Sequence, residues 1–109
     1  MECVFVKKGE EKESKEVDGK TFRLMQKSSE MEAIVAELEV GAVSDKYRHE
    51  GEEIHLVLNG KIDYFVGDDV FRMEEGDTLW HHSDVSHHAE NVGEEKATYV
   101  TVSSPPTFM

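Results

Sequence analysis

All six histidines of this chain fall in two short segments, and those segments hold the residues able to do chemistry. Gly41 to Gly60, GAVSDKYRHEGEEIHLVLNG, carries His49, then Glu53 four residues on, then His55 two beyond. Gly76 to Asn91, GDTLWHHSDVSHHAEN, carries His81, His82, His87 and His88. Two imidazoles and a carboxylate suit a divalent first-row metal that keeps positions open for substrate. That chemistry requires His49, Glu53 and His87 to converge. Residues two apart share a face of an extended strand, so Glu53 and His55 project together, as do His87, Ala89 and Asn91. His81 and His82 are adjacent, so at most one of them faces inward, and His88 faces outward.

The elements that must position these groups read as strands. Met31 to Val40 alternates, with Ile34, Ala36, Leu38 and Val40 on one face and Glu37 and Glu39 on the other, which is the pattern of a half-buried antiparallel strand. A helix competes there, because Glu, Ala and Leu favour one, but the period of two and the stop at Gly41 decide for strand. Further strands are expected over Met1 to Lys8, Gly19 to Lys27 after an Asp-Gly turn, Glu53 to Leu58, Lys61 to Val66, Val70 to Met73, Thr78 to His81, His87 to Asn91 and Lys96 to Ser103. Asn59-Gly60 predicts a type I′ hairpin turn, because both central positions of that turn need positive φ. Gly9 to Asp18, dense in Glu and Lys, reads as a solvated loop. Many short strands, frequent turns and no convincing helix predict an all-β barrel.

The chain has 109 residues, enough for one domain with one core. Its formal net charge of −12 argues against nucleic acid and against an anionic membrane surface, both of which are held by clustered Lys and Arg. Cys3 is the single cysteine, so neither an intrachain disulfide nor a thiolate zinc cluster is available, and its apolar setting reads as a small packed hydrophobe. The N-terminus has no signal-peptide pattern and no stretch has the apolar length of a membrane span, so a cytoplasmic protein is expected.

The two segments resemble the paired motifs of the cupin family. Gly41, five residues, Tyr47-Arg48-His49, three residues, Glu53, six residues and Gly60 follow the spacing of its first motif. Gly76, five residues, His82-Ser83-Asp84, two residues, His87, three residues and Asn91 follow the second, and the fifteen residues between them suit a small microbial cupin. The resemblance implies a single-domain double-stranded β-helix, or jelly-roll barrel, with a core over about 31–104 and N-terminal strands and a charged loop over 1–30. It implies metal ligands at His49, Glu53 and His87, for Fe, Mn, Ni or Zn. Tyr47 stands where the family's first ligand histidine belongs, and His82 and Asp84 replace a Pro and a Gly. Tyr47 is then a weak ligand, a hydrogen-bond donor to substrate or a packing residue. His55 either supplies the missing imidazole or is an interior histidine satisfied by a hydrogen bond. Tyr47 and His55 are the candidate catalytic groups, and Tyr64, Trp80, His82 and Asn91 the candidate pocket lining. Dioxygenation, isomerisation and lyase chemistry on a small molecule are all compatible.

The run Tyr47 to Ile54 and the ending Ser104-Pro105-Pro106-Thr107-Phe108 also look like the sensor domain of helix-turn-helix–cupin regulators, here without the DNA-binding half. That likeness implies the alternative of a metal-free effector-binding module. The outward apolar positions Ile54, Leu56 and Leu58 predict a homodimer.

Overall fold

The computed structural model describes residues 2–109 and is all-β. Nine strands follow one another: β1 Glu13–Val17, β2 Lys20–Lys27, β3 Glu32–Leu38, β4 Glu52–Asn59, β5 Lys61–Val66, β6 Asp69–Glu74, β7 Thr78–His82, β8 His87–Asn91 and β9 Ala97–Ser104. They form a six-stranded sheet of order β1-β2-β3-β9-β4-β7 and a three-stranded sheet of order β6-β5-β8, with every pairing antiparallel. This is the double-stranded β-helix, or jelly roll. No helix among the described residues is long and apolar enough to cross a membrane.

Register turns the period-two patterns into layers. Across the larger sheet, His81, Glu53, Ser103 and Glu32 stand opposite one another on the inward face. The next inward row is Leu79, His55, Thr101, Ile34 and Leu24, and the row after it Val57, Tyr99, Ala36 and Phe22. On the smaller sheet His87 stands opposite Val66, Ala89 opposite Tyr64 and Asn91 opposite Ile62. The barrel therefore has a polar end and an apolar end, the latter built on Leu38, Ile62, Met73 and Ala97. Burial of those side chains holds the sheets together, at about 1.5–3 kcal/mol for each large one.

Five local expectations are corrected. Residues 2–8 form no strand, Val4 and Phe5 are exposed, and Cys3 is exposed rather than packed; Met1 lies outside the described residues. The apolar run has no partner strand, and alternation without a partner specifies nothing. Instead Glu13–Val17, inside the expected loop, pairs with β2, because Asp18 and Gly19 both take positive φ (48° and 75°) in a two-residue hairpin. Its five residues are all exposed, as suits a charged edge strand.

Asn59-Gly60 is not a hairpin turn. Only Gly60 has positive φ, and the dipeptide carries the chain from one sheet to the other. Asn59 Nδ2 donates to Lys96 O at 3.0 Å, and Gly60 lies against Ala97, where a Cβ would come within 2.8 Å of the Ala97 Cα. Close backbone approach, not turn chirality, is what this glycine supplies. Finally, β3 ends at Leu38, so Val40 is 57% exposed rather than inward.

Candidate metal centre

The first histidine segment reaches the site as irregular chain that is nevertheless bonded like a sheet edge. Ser44 N donates to Ala89 O at 2.8 Å, and Tyr47 and His87 exchange both backbone bonds at 2.9 Å. His49 N donates to Ser83 O at 2.9 Å, and Ser83 N to Gly51 O at 2.8 Å. The two motifs are thus tied to each other by main chain, so the side chains they carry meet at the polar end of the barrel.

There His49, Glu53 and His87 converge. Glu53 Oε2 lies 2.8 Å from His87 Nε2 and 3.3 Å from His49 Nε2. Metal–ligand bonds of about 2.0–2.2 Å put neighbouring ligands about 3 Å apart, so the spacing suits one cation. Each imidazole is oriented from behind. His87 Nδ1 donates to Val85 O at 2.7 Å, and His49 Nδ1 contacts Glu50 O at 3.1 Å and the Thr107 hydroxyl at 2.7 Å. A carbonyl can only accept, so His87 Nδ1 carries a proton, and in the neutral ring Nε2 offers Glu53's side a lone pair that either a second proton or a metal ion can take. The 2.8 Å approach of His87 to Glu53 is short but poorly aligned for an N–H donor, and buried Oε2 keeps no hydrogen-bond partner. An orphaned carboxylate oxygen facing two oriented imidazoles fits a divalent cation.

Burial alone would raise the Glu53 carboxyl, but His87, His55 and Ser83 outweigh it and hold it at about 2. Burial pulls His87 down, yet Glu53 and the Val85 carbonyl leave it raised. A proton and a metal ion compete for the same His87 lone pair. Burial drives His55 down to about 3 against the pull of Glu53, so His55 is neutral at physiological pH.

The other expected residues divide. His55 is fully buried, with Nδ1 on the Thr101 hydroxyl at 2.8 Å and Nε2 on His81 Nε2 at 2.9 Å. Of the adjacent pair, His81 is the inward one. Tyr64 lies over His55, ring centroids 4.2 Å apart, and lines the cavity. Tyr47 lines it too, its ring packed on Phe108 at 5.1 Å, and burial followed by Asp45 raises its hydroxyl. Trp80 and His82 do not line it. Trp80 sits on the outer face with its Nε1 on Glu52, and His82 is exposed beside it, because β7 presents His81 inward. Asn91 is buried but works as a brace, donating to Leu38 O and Glu95 O and accepting from Gly93 N. His88 faces outward, stacked on Phe65.

The cavity at this end offers about 30 Å³ of water-accessible space, lined by Tyr47, His49, Glu53, His55, Tyr64, His87 and Phe108 among others. That holds an ion and about one water, far below the 300–1,000 Å³ of a typical ligand pocket. Phe108 narrows the cavity, its ring 5.3 Å from Phe22 and 5.1 Å from Tyr47. The buried Glu32 carboxylate anchors it by accepting from Phe108 N at 2.7 Å. Sequence reading missed Glu32, although it shares the parity of Ile34 and Ala36, and missed Phe108, for which no local signal exists.

Comparison with known proteins agrees with this fold. The chain matches the cupin domain family over residues 34–103. An uncharacterized protein of Archaeoglobus fulgidus is 40% identical over 60 residues, 55% of this chain and 57% of that one, so the match spans little more than half of that relative's length. An RmlC-like cupin from Shewanella frigidimarina superposes with a TM-score of 0.80 at 19% identity, covering 92% of this chain and 89% of that one. KdgF from a Halomonas species superposes with a TM-score of 0.75 at 19% identity, covering 85% and 87%. At such identities these two likenesses concern the fold alone.

Proposed function

Because the chain belongs to the cupin domain family, we propose that it is a cytoplasmic metal-binding cupin that holds a divalent Fe, Mn, Ni or Zn ion through His49, Glu53 and His87. The observation that carries this reading is the orphaned Glu53 Oε2, buried and faced by two Nε2 atoms. A bound cation there would act as a Lewis acid on a small molecule entering past Phe108. Tyr47 and Tyr64 line its approach, and His55, held neutral, stands behind Glu53.

Metal analysis of untagged protein tests this reading. At least one divalent ion per chain is expected, with one fewer in a His49→Ala, His87→Ala double variant. A wild-type chain that takes up none of the four metals overturns it. Tyr47, at the place of a ligand imidazole, favours the metal-free effector module as a second reading. Either reading needs Phe108 to move before a metabolite can enter so small a cavity, and the second is distinguished by a thermal shift by a metabolite that survives chelator treatment.

A second copy of the chain is the proposed partner. Ile54 and Trp80, paired in register on the outer face and 49% and 52% exposed, form an apolar patch that extends to Val102. Sedimentation is expected to show a dimer at micromolar concentration and a monomer for Ile54→Lys. A monomeric wild-type chain would refute it.

A further inference from the structure

Through its other oxygen, Oε1, Glu53 faces a second set of nitrogen donors, whose His81 ring also lies 4.7 Å from the His87 ring. His55 Nε2 lies 2.9 Å from His81 Nε2 and 4.0 Å from Glu53 Oε1, and one donor atom from each of these three buried residues lies within 4.8 Å of the others. These donors and the outer ones form two sets that share Glu53, rather than one set of five. Both imidazoles are oriented as ligands are. His81 Nδ1 donates to His82 O at 2.8 Å, which leaves its Nε2 an acceptor in the neutral ring, and His55 Nδ1 rests on the Thr101 hydroxyl at 2.8 Å.

We propose that His55, His81 and Glu53 form an inner binding position for a second divalent first-row cation, with Glu53 bridging it to the outer one. The inner position borrows Glu53 from the outer set and to that extent rests on the reading above. A proton shared between the two imidazoles would satisfy their Nε2 atoms alone. It would leave the buried Ser103 hydroxyl, 1% exposed and directly opposite Glu53 across the β4–β9 ladder, without a partner. Water on an inner cation would give such a hydroxyl a partner. Two imidazoles and one carboxylate select zinc, cobalt, nickel or iron over calcium and magnesium, which take oxygen ligands. Tyr64 and Tyr99, both buried, pack against the His55 ring at centroid distances of 4.2 and 6.3 Å. Glu53, His55, Tyr64 and Tyr99 line the same cavity as His49 and His87, so both positions are reached from it.

Native mass spectrometry of the untagged chain titrated with zinc tests the proposal. Two zinc ions per chain are expected, falling to one in His81→Ala and in His55→Phe, and to one in His49→Ala. The two inner variants are measured side by side, with circular dichroism confirming the fold, so that failure of one to fold leaves the other. A single zinc that survives both inner variants and disappears in His49→Ala overturns the inner position and leaves the outer reading standing. A single zinc lost in the inner variants but retained in His49→Ala supports the inner position and sinks the outer reading. Two zinc ions retained in both inner variants, or none in the wild type, overturn the proposal.

Discussion

Glu53→Gln is expected to strip the barrel of metal while leaving the fold in place. Glutamine keeps the shape of the side chain but removes the charge, and it leaves one carbonyl oxygen where the carboxylate has two. Loss of even a supporting group behind a ligand costs about 10–100-fold in affinity, so loss of the anionic ligand itself should cost at least about 100-fold. The effect is readable as stability. An ion present at about one hundred times its dissociation constant stabilises the folded state by about 2.7 kcal/mol, which for a chain of this size is about 10–20 °C in Tm. Wild-type protein should therefore lose that much Tm on adding chelator, and Glu53→Gln should lose at most about 0.4 kcal/mol, or about 2–3 °C. A wild-type Tm indifferent to both metal and chelator refutes the metal site.

The same variant has a signature without metal. The Glu53 carboxyl is depressed in the folded state from an ordinary 4.5 to about 2. A depressed acid contributes stability that is fully present above its unfolded value and disappears as pH falls towards its folded one. Metal-free wild type should thus weaken between about pH 4.5 and 2 more steeply than Glu53→Gln, as thermal melts at stepped pH would record.

The barrel and the convergence of His49, Glu53 and His87 are readable because both rest on rules with few exceptions. Strand periodicity assigns faces locally, so Ile34, Ala36 and Leu38 went inward in β3 as their spacing requires. His49, Glu53 and His87 could be grouped because the gaps between motif residues survive even where motif residues change, as at Tyr47. What failed depended on which strand lies next door. Asn59-Gly60 has the composition of a hairpin turn, but β4 and β5 join different sheets, a fact of topology that no dipeptide encodes. Val4 and Phe5 alternate correctly yet meet no partner. Trp80 and His82 stand as candidate lining when only one of His81 and His82 can face inward, and the choice is set by the pairing of Glu53 with His81, which puts His81 inside and Trp80 and His82 outside. Phe108 reaches the cavity through a carboxylate 76 positions earlier in the chain, and only the folded barrel brings them together.

Gly51→Ala should be the most damaging single-methyl change in the chain. Gly51 lies between two of the proposed ligands, His49 and Glu53, with φ of 103°, a conformation that an L side chain rarely adopts. Its added Cβ would run into Ser104 O and come within 2.5 Å of Pro105 Cδ and 2.9 Å of the Ser104 carbonyl carbon. These are main-chain and ring atoms, which cannot swing aside as a flexible side chain would. The Gly51 carbonyl also accepts from Ser83 N at 2.8 Å, so a shift of this segment pulls on the tie between the two motifs. Backbone strain alone costs about 1–3 kcal/mol, and the collision should carry the total to at least about 3 kcal/mol, or about 12–24 °C in Tm. Gly76→Ala separates the two causes. Gly76 has a similar φ of 89° but nothing within 4 Å of an added Cβ, so it feels the strain without the collision. Gly76→Ala should lose about 1 kcal/mol and keep its metal, while Gly51→Ala should lose several-fold more stability and bind metal weakly. Equal melting temperatures for the two variants would show that the Ser104-Pro105 segment yields, and that the close packing of the first motif against it does not position His49 and Glu53.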